Sequence, residues 1–233
     1  MDAWLSYGLS DFLLFSPQTY FRQFALINEA MFPLPLLLQA LAAALLLLTG
    51  NGARWRGRAV AIGLCLLWAS SGWLFHWRSY AAINWAAAWF ALGFAAQSAL
   101  LLWLGVAADA MTATARSTTA ALPARAAAAI VVLVYPLLAL AFGRPWQEAE
   151  LIGVSPDATA AFSAATIALC ATRGRWLLLV LPLSWCAIAL LTLYVMRAFE
   201  FWVVAVCVAG VVATLIADRR AHRARRTVPD REG

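Results

Sequence analysis

A succession of apolar stretches, separated by short segments that hold most of the arginines, constrains this chain more than any other feature. A bilayer core of about 30 Å needs about 20 apolar residues in a helix. Within lipid, only helices and closed barrels satisfy every backbone N–H and C=O. Stretches at 31–49, 59–77, 83–106, 126–142, 155–172, 176–196 and 199–217 meet the need, which predicts an all-α membrane protein with about seven transmembrane helices. The fifth has the shortest clean apolar core, Ala158 to Ala171, a length at which a re-entrant segment is equally expected. With 64% apolar and 12% charged residues, the chain lacks the polar surface that would coat a water-soluble globule.

Arginine placement sets the expected orientation. The segments after the first, third and fifth stretches carry Arg54, Arg56, Arg58, Arg116, Arg125, Arg173 and Arg175, and the tail carries six more. The opposite side holds Arg22, Arg78, Arg144 and Arg197. The positive-inside rule then puts the N-terminus outside and the C-terminus in the cytoplasm. Residues 1–217 read as a single transmembrane domain and 218–233 as a basic, disordered cytoplasmic tail, whose arginines adhere to anionic lipid headgroups. The net charge of +6 is thereby explained by orientation, and no nucleic-acid partner is implied, since no basic, aromatic-interleaved face is present. The first residues lack a basic region followed by a processing site, so no cleavable signal peptide is expected. Cys65, Cys170, Cys186 and Cys207 each lie in an apolar run without C-x-x-C spacing and read as packing residues.

Residues 16–30, SPQTYFRQFALINEA, open with Ser16 as a helix cap and Pro17 at the first helical position. Tyr20, Phe24, Ile27 and Met31 share one side of that helix, and Gln18, Arg22 and Glu29 another. This segment is either an outer interfacial helix or the first turns of a long span kinked at Pro33 and Pro35. An internal echo is also present: Arg58, Trp68 and Trp85 have the same spacing as Arg175, Trp185 and Trp202. It is either a parallel repeat of three spans, one span and three spans, similar to the plan of sugar-efflux transporters, or a coincidence among abundant tryptophans.

The densest polar and aromatic cluster is FHWRSYAAINW, Phe75 to Trp85, in an outer hairpin. His76, Arg78, Tyr80, Asn84 and Trp85 could orient a small ligand there, with Arg78 as a charged donor, Trp85 as an apolar platform and His76 as a titratable group. An aromatic belt with a snorkelling arginine is the competing reading. Asp11, Arg22 and Glu29 lie on the same side and form either a polar lid or a solvated helix face. Ser155, Pro156 and Asp157 read as a cap for the fifth span, and Arg144, Glu148 and Glu150 as residues of an outer loop. Gln39, Ser70, Ser71, Gln97, Ser98, Ser163, Thr166, Ser184 and Thr192 are polar but neutral within the spans, where such groups commonly bond between helices. No carboxylate falls at a predicted midplane, which disfavours a proton relay of the usual kind. With only His76 and His222 available, no metal site and no cofactor are expected.

The segments FSPQTYFRQFALIN (15–28), FHWRSYAAINWAAAWF (75–90) and RPW…GVSPDAT…RWLLLVLPLSW together resemble an uncharacterised bacterial membrane family, domain of unknown function 6064. The resemblance implies a bacterial inner membrane and brings no activity, substrate or catalytic residue. Three functional classes stay open: a small-solute permease or small-molecule-binding membrane protein with its site on the outer face; an embedded enzyme using His76 with an outer-face carboxylate; and an assembly or sensor protein. Lipid is an expected partner, as are a small-molecule ligand and a second copy of the chain.

Overall fold

The structure, a computed structural model, describes residues 16–50, 53–82, 84–111, 118–170 and 173–226; Asp11 lies outside them. The described residues are helical, without strands, and one isolated β-bridge joins Ile152 and Ser155. The helices are α1 (Pro17–Ala30), α2 (Leu34–Leu48), α3 (Arg54–Ser71), α4 (Ala87–Leu100), α5 (Thr118–Leu133), α6 (Leu138–Ala141), α7 (Pro156–Cys170), α8 (Arg175–Val195) and α9 (Glu200–Arg226). Two of them run on as π-helix, α3 through Gly72–Ser79 and α4 through Leu101–Ala107.

Five helical stretches are long and apolar enough to cross a membrane: Arg54–Ala82, Ala87–Ala107, Thr119–Ala141, Arg175–Val195 and Glu200–Ala221. A sixth results if α1 and α2 count as one broken span. These two helices meet at 98° across a break at residues 31–33. The start of α1 follows the sequence reading: Ser16 Oγ accepts the Thr19 N–H and Pro17 needs no partner for an N–H.

Contacts define two ends of the bundle. At one, Arg58 pairs with Asp109, Arg175 pairs with Asp218, and the space beside Gly50 is filled by the Arg125 side chain. At the other, Tyr20 reaches Asp157, Arg78 reaches Met31 and Arg144 pairs with Glu200. Helix α9 continues through the start of the basic tail to Arg226. There it docks back on α8, since the Arg219 guanidinium lies 4.8 Å from the centre of the Trp176 ring.

The centre of the bundle is α7. All fifteen of its residues are buried, and it packs against α3, α5, α8 and α9. Alanines at 158, 160, 161, 164, 165 and 168 let these neighbours approach closely. The fifteen residues of α7 rise only about 22 Å, and residues 149–155 before it are buried without being helical. Such backbone survives at depth only where protein groups satisfy it. Asn28 Nδ2 donates to the carbonyls of Gln147 and Ala149 (2.7 and 2.9 Å), and Gln39 Oε1 accepts the Ile152 N–H (2.8 Å). Thr159 Oγ1 accepts the Gly153 N–H and Ser71 Oγ donates to the Val154 carbonyl.

Candidate functional site: an acidic cluster sealed under α1

Three carboxylates are buried at the α1 end. Asp157, in the first turn of α7, is 3% exposed. Its Oδ2 accepts the Tyr20 hydroxyl at 3.1 Å and its Oδ1 the Trp185 indole N–H at 2.8 Å. The helix is capped as the sequence reading expects, by Ser155, whose Oγ accepts the Ala158 N–H, with Asp157 in the first turn. Glu200, at the start of α9, pairs with Arg144. That guanidinium also lies over the Phe21 ring of α1, 3.6 Å from its centre, a cation–π arrangement. Glu150 is 2% exposed; its Oε1 accepts a long hydrogen bond from Ser155 Oγ (3.4 Å) and its Oε2 has no partner. Glu200, Asp157 and Arg144 are the charged groups that face it. Tyr135, after α5, is buried within electrostatic reach of all three acids, and its hydroxyl also lacks a partner.

Helix α1 covers this cluster. Tyr20, Phe21, Phe24, Ile27 and Asn28 face inward, and Tyr20 and Phe24 form an aromatic group with Phe75. Two open grooves lie elsewhere. One, of about 420 Å³, runs beside Trp73 and Trp77; the other, of about 560 Å³, is lined by Phe142, Arg197 and Trp202. No member of the cluster lines either.

Of the hairpin residues singled out in the sequence, His76 and Tyr80 are in ring contact and the Asn84 N–H donates to the Tyr80 carbonyl. His76, on the π-helical turn, is fully buried among Phe75, Tyr80, Phe90, Phe94 and Trp185, and neither ring nitrogen has a hydrogen-bond partner. It connects to the acids only through Trp185, which it touches and which binds Asp157. Tyr80 is half-buried and stacks on Phe75. Asn84 is buried and accepts the Ala86 N–H at the entry to α4. Arg78, Trp85, Arg22 and Glu29 are exposed. Sequence reasoning missed the convergence of Glu150, Glu200, Arg144, Tyr20, Tyr135 and Trp185. The available signal was three carboxylates near span ends without adjacent arginines, and that pattern does not reveal burial. Among the described residues no group of three or more His, Cys, Asp or Glu side chains could hold a metal ion.

Fold and site together define a class: an all-helical protein, five of its described helical stretches long and apolar enough to cross a membrane, packed around a short buried helix with an acidic cluster closed off at one end. The sequence pattern of a family of unknown function, DUF6064, matches residues 17–227, and the chain belongs to that family. No curated protein and no solved structure matches the chain.

Proposed function

We propose that the protein is a small-solute permease of the bacterial inner membrane, its N-terminus outside and its C-terminus inside, with its binding site at the acidic cluster under α1. The observation that carries the reading is Asp157, a buried carboxylate held by a lid residue, Tyr20, and by Trp185 from a span. Ionisable groups inside membrane proteins usually mark substrate or ion pathways. Non-helical backbone running into a short helix at depth resembles the broken helices of transporters. Five long apolar helices, the bent pair and the buried passage along 149–170 together support seven spans. Thirteen arginines against four support the orientation, with the arginines of α9's end against anionic headgroups.

The echo between the halves adds support for a repeat. Trp68 donates to Ser163 and Trp185 to Asp157, so both mid-span tryptophans reach α7. Arg58 and Arg175 each pair with an aspartate, Asp109 and Asp218, following the next span. The enzyme reading lacks its acid–base pair, since His76 has no hydrogen bond to a carboxylate.

The test is solute uptake by a deletion strain profiled without preselecting the metabolite, complemented with wild type or with Asp157→Asn. Asp157→Asn should insert normally and restore less than a tenth of the uptake difference. Full restoration would move the function away from this site, and the absence of any uptake difference would favour a sensor or assembly role.

A further inference from the structure

The cluster holds more negative than positive charge, and its members are not equally provided for. Arg144 pairs with Glu200 through one terminal nitrogen, while its other terminal nitrogen is buried without a partner. Asp157 has a neutral donor on each oxygen and can remain an anion. Glu150 has one long hydrogen bond and one oxygen with none, so as an anion it would be a nearly bare buried charge. A metal cation has too few ligands there. A proton needs only one oxygen and no cavity.

We propose that Glu150 is an exchangeable proton site, occupied in this closed form. Within the permease reading, on which its role rests, the proton is the coupling ion. The groups facing it are Arg144 on its own loop, Asp157 on α7, Glu200 on α9, Tyr135 after α5 and Tyr20 on α1, with Tyr80 behind Tyr20. Exchange breaks and forms one O–H bond. The proton passes from the Glu150 carboxyl to water admitted when Tyr20 releases Asp157, which leaves the Glu150 carboxylate, and returns from water on the same path. Tyr135, buried and unpartnered, is placed to turn its hydroxyl toward the new anion.

Infrared spectra of the full chain in lipid vesicles, recorded from neutral to alkaline pH, test this directly. Wild type should show a carboxylic C=O band at neutral pH that shifts in heavy water and fades as pH rises. Glu150→Gln should lose one acid's share of it, and Glu148→Gln, two residues away and half-buried, should lose none. Should Glu150→Gln fail to fold, the wild-type titration still decides, because no carboxylic band at neutral pH would overturn the proposal. Fading of the band when sodium replaces N-methylglucamine at constant pH would also overturn it, in favour of a metal cation. The readout is independent of transport, so loss of uptake in Asp157→Asn with the band intact leaves the proton site standing, and the reverse leaves the permease.

Discussion

At the scale of single residues, Tyr20 and Trp185 do the same thing from opposite directions: each brings a neutral donor to Asp157, one from α1 and one from α8. Hydrogen bonds to a charged group are worth about 1.5–3 kcal/mol, so Tyr20→Phe should lower stability by about 2 kcal/mol in a thermal unfolding assay in detergent. Tyr80→Phe, from a half-buried site, should cost less, and equal losses would mean that the Asp157 contact is not made. The neutral polar residues were partly legible in the sequence: Gln39, Gln97, Ser98 and Trp68-bound Ser163 bond between helices, Ser71 bonds to the connection before α7, and Ser70 and Thr166 have no partner among the described residues. The acids were not. Glu148 and Glu150 are two positions apart, yet the first is half-buried and the second sealed. The difference arises from Asn28, which holds the carbonyls of 147 and 149 across about 120 residues of sequence, and no local pattern encodes such a contact. His76 attracted attention as a titratable group, but its π-helical turn rotates it into an aromatic pocket, a rotation that hydropathy does not report.

At the scale of elements, the apolar stretches located the helices well and their ends less well. The fifth stretch, 155–172, appears as α7 over 156–170. The last, 199–217, is only part of α9, because polarity marks where lipid contact ends and not where helix ends. Asp218 and Arg219 turn back to Arg175 and Trp176, so the first turn of the basic segment is docked. The buried connection before α7 depends on Gly153, whose φ of +87° is in the left-handed region and whose added Cβ would lie 3.0 Å from both Leu38 Cβ and Leu67 Cδ2. Gly153→Ala combines backbone strain with crowding and should destabilise by about 2–4 kcal/mol. Gly143→Ala shares the positive φ but opens onto empty space, so it should cost about 1 kcal/mol. Thermal midpoints of the two variants measured side by side decide this, and equal shifts would show that the 149–155 segment is not packed as described.

For the whole molecule, the count of crossings turns on α7. Five long helices and a bent pair give six, which would leave both termini on one side. Counting the passage along 149–170 as a seventh, as proposed above, separates them. Reporter domains fused after Ala113 and after Gly233 should therefore both report cytoplasm, and one inserted at Ser79 the periplasm; a cytoplasmic signal at Ser79 would invert the arrangement. The arginine distribution is what supports this orientation, whereas the central position of α7 follows from small side chains that suit any close packing.

The complete enclosure of α7 also has a consequence for biosynthesis. A segment with no face toward lipid gains little by leaving the insertion machinery alone, and two of the four helices that wall it, α8 and α9, are made after it. During synthesis α7 must therefore wait, half-housed by α3 and α5, for the rest of the chain. Nascent chains interrupted before α9 present an incomplete enclosure, the kind of exposed intermediate that membrane quality-control proteases remove, so the last helix acts as a checkpoint on the whole product.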